Sequence, residues 1–280
     1  MAVYLRDLLA GLSDLHLGDA PVIVHSSLKS FGEVDGGAQT VVSALARVFP
    51  TLLVPTFTYR TMLIPKTGPE HNAITYGSGD SQNRMAEFFT PKMPADPLMG
   101  IIPETFRKHP RAERSSHPIQ SFAGMNAGKF LQAQRLDDPL GPLNALEKAD
   151  GWAVLLGVDH TVNTSIHYAE KLAGRRQFVR WALTPKGVVE CPGFPDCSAG
   201  FQAIAPEMEK FTRRSQVGNA VIQAVPLAML FRIAIAQIKK DPLALLCQQE
   251  DCERCGEIRQ QGIIDIELVP RAGSPPPLHP

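Results

Sequence analysis

The stretch from Gly151 to Glu170, GWAVLLGVDHTVNTSIHYAE, limits the folds open to this chain more than any other. Ala153 to Leu156 is an apolar run of strand length bracketed by Gly151 and Gly157, so it reads as a buried strand with breakers at both ends. Polar residues follow at once: Asp159, His160, Asn163 and Thr164. From Thr164 the pattern turns helical, and the side chain of Asn163 or Thr164 can cap the free N–H groups of the first turn. A strand, a short loop and a helix N-terminus in that order predict an α/β sheet. In open sheets of this kind ligands gather at that junction, where strand ends and free N–H groups converge. His167 falls in the first turn, with Asn163 four residues before it and Glu170 three after, so all three share a helix face. A histidine with polar neighbours at such a junction is a candidate general base. A structural histidine in an amphipathic helix carries the same local pattern.

A second unit of this kind lies near the start. Leu5 to Leu17 has apolar residues at helical spacing, and Val22 to His25 reads as a short buried strand. SSLKSFGEVDGG then brings hydroxyls and glycines before the helical run Ala38 to Phe49. In that loop the backbone can approach a phosphate or a pantetheine chain, although neither the Walker A pattern nor the dinucleotide fingerprint is present. Thr51 to Pro55 is the next strand. Residues 60–100 are rich in Pro and Gly and poor in periodicity, which suits a wall or lid over a substrate. Ile101 to Lys108 resumes helix and Ile119 to Ala123 reads as a strand. Arg175 to Thr184 and Gly187 to Glu190 form a hairpin around Pro185-Lys186-Gly187. Residues 200–246 read as mostly helical. The expected fold is therefore α/β: a central mixed β-sheet flanked by helices, with a mostly helical C-terminal part. One domain is expected over residues 1–269, followed by a disordered proline-rich tail at 270–280.

The 280 residues carry a formal net charge of zero, which argues against the strongly basic surface of a nucleic-acid binder. No apolar run reaches the length of a membrane span, and the first residues lack the pattern of a signal peptide. The expected setting is cytoplasmic, with no membrane and no nucleic-acid partner. Five cysteines do not make a disulfide scaffold in a chain of this length. Cys247, Cys252 and Cys255 lie close in sequence, but a structural zinc site needs four ligands, and Cys191, Cys197 or a histidine would have to supply the last one from far away. Zinc is therefore not expected, and these three thiols stand only as a weak metal candidate.

Five separated segments, taken together and in order, resemble the aminoglycoside N3-acetyltransferase family, which has the antibiotic N-acetyltransferase fold. They are HSSLKSFGEVDGG, LLVPTFTYR, GIIPETFRKHPRAERSSHPIQSFAG, DDPLGPLNAL and LLGVDHTVNTSIHYAE. The resemblance implies acetyl transfer from acetyl-CoA to the 3-amino group of an aminoglycoside antibiotic, which confers resistance. His167 matches the family's active-site histidine and Glu170 its companion; Asn163 stands where some relatives carry an acid, and Thr164 neighbours it as a candidate oxyanion donor. The resemblance places Ser26, Ser27, Ser30, Ser115, His117 and Ser121 on the CoA side, and Leu28, Lys29, Thr56 and Arg114 are further cofactor-binding candidates in or beside the same motifs. Lys29, Arg107, Arg111 and Arg114 are the cations near those motifs that suit CoA phosphates. An aminoglycoside is a polycation, so acids should meet it. Asp80, Glu87, Asp96 and Glu104 are the expected contacts, with Asp159 and Glu170 further candidates.

The chemistry is consistent with direct transfer: a neutral histidine takes the proton of the attacking amine, and a carboxylate orients the ring. The chain is expected to act as a monomer or a homodimer. Alternatives left open by the residues are the same transfer to a non-aminoglycoside amine, a serine hydrolase using Ser26 or Ser27, and a zinc-dependent interaction module.

Overall fold

The computed structural model describes residues 2–261. The expected proline-rich tail at 270–280, and the boundary at 269, lie outside the described residues. In chain order the strands are β1 (Val22–Ser26), β2 (Leu52–Pro55), β3 (Met62–Leu63), β4 (Glu113–Arg114), β5 (Phe122–Met125), β6 (Trp152–Leu156), β7 (Phe178–Thr184), β8 (Gly187–Phe194), β9 (Arg213–Val217) and β10 (Ala220–Pro226). The helices are α1 (Leu5–Ser13), α2 (Gly37–Val48), α3 (Asp80–Met85), α4 (Ile101–Arg107), α5 (Gly128–Leu131), α6 (Gly141–Glu147), α7 (Ser165–Leu172), α8 (Ala205–Met208), α9 (Leu227–Lys240) and α10 (Glu253–Gln261).

Seven strands form one mixed sheet in the order β4-β5-β2-β1-β6-β10-β9. β1 lies parallel to both β2 and β6, while the outer pairings are antiparallel. The central strands are apolar on both faces because both faces are covered. Val22, Val24, Leu52, Val54, Val154 and Leu156 pack toward α1, α2 and α4. Ile23, Leu53, Ala153 and Val225 point the other way, toward α6, α7 and α9. A second, three-stranded sheet, β3-β7-β8, has its own core of Phe178, Ala182, Cys191 and Phe194, which also takes in Leu246, Cys247, Cys255 and Ile258.

The expected central mixed sheet and its flanking helices are present. Within the C-terminal part, expected to be mostly helical over 200–246, residues 213–226 form the hairpin β9–β10 turned at Gly218-Asn219, and β10 pairs antiparallel with β6. Ala220–Pro226 is apolar enough to be built into the sheet beside β6, and helix starts only at Leu227. A short apolar run is ambiguous between strand and helix, and here an open edge of the sheet decided it. The segment at 60–100 holds β3, α3 and a 3-10 turn at Pro97–Met99 between irregular stretches.

Because β1 leads through α2 to β2 on one side and pairs with β6 on the other, the strand order reverses at β1. The crevice beyond the carboxyl ends of β1, β2 and β6 is the place where such sheets hold ligands.

Candidate active site

A cleft opens at that crevice. Its walls include His25 and Ser26 from the end of β1, Phe57 beyond β2, Thr161, Val162 and Thr164 beyond β6, and His167 on α7. Tyr59, Gln120, Phe194, Asp196 and Arg254 complete it from other parts of the chain. Gly157 lets the two loops meet: its φ is +64°, and a Cβ there would lie 2.4 Å from that of Ser30, whose Oγ donates to the Gly157 carbonyl at 2.5 Å.

α7 begins where expected. Thr164 is the N-cap and makes no side-chain cap bond; Asn163, one residue earlier, accepts the Ser165 N–H through Oδ1 at 3.2 Å. The helix ends in a Schellman turn. Gly174, at φ +87°, donates its N–H to the Lys171 carbonyl, and Arg175 N–H donates to the Glu170 carbonyl at 2.9 Å. Within this short helix His167 Nδ1 lies 2.7 Å from Glu170 Oε2, and the imidazole packs edge-on against Phe201. Glu170 is fully buried, and its other oxygen accepts from the Arg175 guanidinium. Arg175 in turn donates to the Pro242 and Ala244 carbonyls at 2.8 and 2.7 Å. A buried carboxylate needs such compensation, since an unpaired charge out of water is costly. Nδ1 is thus taken up by Glu170, and Nε2 is the ring nitrogen left for the cleft.

Asn163, expected beside His167, instead pairs its amide with His160 Nδ1 at 3.2 Å. It is fully buried and shapes the loop before α7. Thr164 lines the cleft next to His167. His25, read from sequence only as strand, adds a third imidazole. Burial, and next the neighbouring His160 and His167, push it down to about 3, so it is neutral, and its Nε2 has no protein partner.

The residues assigned to the CoA side fall in three places. Ser26 lines the cleft and its buried Oγ has no protein partner, which fits a hydrogen-bonding ligand there. Ser27 N–H donates to the Leu156 carbonyl, Leu28 packs on the core, and Lys29 is at the start of a 3-10 turn that ends at Phe31. Thr56, Ser121 and Arg114 form a buried clamp. Thr56 Oγ1 donates to the Ser121 carbonyl at 3.0 Å, and Arg114 donates to the Thr56 carbonyl (2.6 Å), Ser121 Oγ (3.0 Å) and the carbonyls of Pro91 and Met93. Ser115 exchanges hydrogen bonds with the Phe122 backbone, and His117 Nδ1 accepts from the N–H groups of Ile119 and Gln120. Ser115, His117 and Arg114 border a separate depression with Arg135.

None of the acids expected to meet a polycation lines the cleft. Asp80 is exposed at the start of α3, and Glu87 pairs with Arg60 at 3.3 Å. Asp96 caps the Pro97–Met99 turn through the Leu98 N–H. Glu104 is bound by Arg107 and Lys108 and accepts the Ala95 N–H. Burial alone would raise it, but those partners, Arg107 foremost, hold it down at about 2. Asp159 accepts from Thr161. These carboxylates satisfy local N–H groups and cations, a demand that composition does not reveal. The acid in the cleft is Asp196, buried in the loop after β8. It sits in CPGFPDC, whose Pro and Gly read as a loop, but Cys191–Phe194 completes β8 and the chain leaves the strand only at Pro195.

A family profile for aminoglycoside 3-N-acetyltransferase matches residues 23–239 of the chain. The chain belongs to this family. Aminoglycoside N(3)-acetyltransferase IV of Salmonella sp is 31% identical over 264 residues, covering 83% of this chain and 87% of that enzyme. An aminoglycoside N(3')-acetyltransferase-like protein, YokD, of Bacillus subtilis strain 168 is 33% identical over 157 residues. That match covers 53% of this chain and 57% of YokD, so it spans little more than half of that relative's length. The crystal structure of aminoglycoside acetyltransferase AAC(3)-IVa as apoenzyme superposes with a TM-score of 0.74 at 25% identity, over 94% of this chain and 99% of that one. A mutant of AAC(3)-IVa in complex with a gentamicin gives 0.73 at 25% identity, over 93% and 98%. The antibiotic acetyltransferase family thus accounts for the resemblance of the five segments and for the sheet that carries them. Among the described residues no helix is long and apolar enough to cross a membrane.

Proposed function

We propose that this chain transfers the acetyl group of acetyl-CoA to the 3-amino group of an aminoglycoside, with His167 as general base. The observation that carries the reading is the His167–Glu170 pair on the wall of the cleft. Glu170 holds the tautomer with the proton on Nδ1, so Nε2 is a base toward the cleft. Acetyl-CoA supplies an activated acyl group. An amine attacks its carbonyl only when unprotonated; Nε2 takes the proton that the amine loses as the C–N bond forms, and the C–S bond then breaks, with the imidazolium returning that proton to the departing CoA thiolate. Glu170, tied to Arg175, stabilises the imidazolium that results. Thr164 lines the same wall, and its hydroxyl is the proposed donor to the developing oxyanion. The unpartnered Ser26 Oγ is a site for a polar group of either substrate.

Two likenesses support the substrate classes. The solved AAC(3)-IVa complex holds a gentamicin, and a structure of the same fold at 22% identity, AAC-IIIb, is a binary complex with CoASH. A cytoplasmic monomer or homodimer is the proposed state. A serine hydrolase would need a nucleophile hydrogen-bonded to its base, and Ser26 Oγ has no hydrogen-bond partner.

One observation favours a second reading of the acceptor. The cleft wall carries one acid, Asp196, and one cation, Arg254, and not an acidic basin. An amine of lower charge suits such a wall.

The test is CoA release from acetyl-CoA, followed with a thiol reagent, for gentamicin, sisomicin, a neomycin-type drug and non-aminoglycoside amines. Turnover with an aminoglycoside and a loss of about 10²-fold or more in His167→Ala are expected. Activity confined to other amines moves the acceptor assignment. An unimpaired His167→Ala removes His167 as the base.

A further inference from the structure

The sequence brings three thiols together and leaves a fourth ligand missing. The fold supplies it. Cys197, in the loop after β8, joins Cys247, Cys252 and Cys255, and all four Sγ atoms lie within 4.8 Å of one another. Cys191, the other distant thiol, stays in β8 with its Sγ turned to its own strand's Val189 carbonyl.

We propose that Cys197, Cys247, Cys252 and Cys255 bind one structural Zn²⁺ that fastens α10 to the loop carrying Asp196. A tetrahedral Zn–S₄ site with bonds of about 2.3 Å sets its sulfurs roughly 3.8 Å apart. The observed spread requires side-chain shifts of only about 1 Å to reach that geometry. Cys252 and Cys255 have the C-x2-C spacing of structural zinc sites and sit at the start of α10, where the free N–H end of the helix favours thiolates. The Ala199 N–H already points at Cys197 Sγ at 3.4 Å, the backbone-to-sulfur bond that orients such ligands. Four thiolates on Zn²⁺ leave a net charge of −2, and the cations to balance it are in place. Arg254 lies between two of the ligands in sequence, and Arg259 donates to the Cys247 carbonyl. Cys255 Sγ also lies 3.7 and 3.8 Å from the Asp196 carboxylate oxygens, an S–H bond that ends when the thiol gives up its proton to bind metal.

The site has a consequence for the cleft. Arg254, two of whose hydrogen bonds go to the Pro195 and Asp196 carbonyls, and Asp196 itself both line it. The small third core of Phe194, Cys191, Leu246 and Ile258 gives this corner little apolar burial of its own. A metal crosslink between the loop and α10 therefore fixes one wall of the cleft, as structural zinc does in domains whose cores are too small.

The test uses the whole chain, purified under reducing conditions without chelator. Elemental analysis should return about one zinc per chain. The metal-free protein titrated with Co²⁺ should show the thiolate-to-cobalt charge-transfer and visible d–d bands of a tetrahedral sulfur site. Cys197→Ser and Cys255→Ser should drop bound zinc to background, and Cys191→Ala should keep it. Should either serine variant fail to fold, the cobalt spectrum of the native chain still decides. A native chain that takes up neither zinc nor cobalt with its thiols reduced overturns the proposal. So does a disulfide among the four in protein kept reducing, or a Cys197→Ser variant that retains zinc undiminished.

Discussion

Arg175 binds Glu170 twice: its backbone N–H donates to the Glu170 carbonyl at 2.9 Å, and its guanidinium donates to the Glu170 carboxylate. The first bond closes the Schellman turn of α7 and the second holds the carboxylate that orients His167. A helix stop and the anchoring of the carboxylate paired with His167 are therefore one stretch of chain, from Glu170 through Gly174 to Arg175.

Removing the guanidinium should be more harmful than removing the pair. Arg175→Met leaves a buried, uncompensated carboxylate and should cost about 3–5 kcal/mol of stability. Arg175→Met combined with Glu170→Gln should regain part of that stability in urea unfolding while acetyl transfer stays low. Full recovery of activity in the double variant would show that Glu170 does not serve His167.

Gly174→Ala tests the turn. At φ +87° a Cβ is strained, with a cost of about 1–2 kcal/mol. The larger effect should be on kcat, because Arg175 enters through this turn. A variant that loses stability but keeps kcat would mean that Arg175 finds Glu170 by another path.

Asp196→Asn should raise KM for a polycationic acceptor by about ten-fold, the worth of one hydrogen bond to a charged group, with kcat little changed. Zinc content measured on the same sample separates loss of an acceptor contact from damage at Cys197.

Arg114 turns its donors inward, to Thr56, Ser121, Pro91 and Met93. Burial, and next Arg107, lower it to about 10, which still leaves it charged. Arg114→Met should therefore lower stability by about 2 kcal/mol through unsatisfied carbonyls. KM for acetyl-CoA should change less than the three-fold or so that a lost surface charge contact gives. A large rise in KM at unchanged Tm would return Arg114 to the CoA phosphates.

Acid should unfold this protein through its buried histidines. Burial pushes His25 down to about 3 and His117 and His160 to about 4, from an ordinary 6.5. Between those values the unfolded chain binds more protons than the folded one, so stability rises with pH. The contribution is complete above 6.5 and is lost as pH falls toward 3–4. Glu104, held at about 2, adds a loss of the same sign at lower pH, from 4.5 down. The urea midpoint should drop steadily from about pH 7 to about pH 4.5, and His25→Gln should flatten that slope by about one proton, roughly 1.4 kcal/mol per pH unit. An unchanged slope in the variant would show that His25 is protonated in the folded state.

The local units were written in the sequence. Ala153–Leu156, the polar loop and the helix from Ser165 are dictated by short-range pattern: an apolar strand bracketed by Gly151 and Gly157, then Asn163, whose side chain takes the Ser165 N–H. The His167–Glu170 pair was legible too, because residues three apart on a helix must be neighbours. What tertiary structure decided is everything joined across long separations. Arg175 reads as the start of a strand until the Schellman turn aims it at Glu170. Asp196, and not the acids of 60–100, reaches the cleft because β8 ends there, while Glu87, Asp96 and Glu104 are taken by Arg60, the Leu98 N–H and Arg107. Cys197 meets Cys247, Cys252 and Cys255 only because the loop after β8 and the C-terminal helix share a core. Helical and strand periods determine neighbours within one element. Which elements meet depends on how each buries its remaining apolar surface against the rest, and that sum is not local.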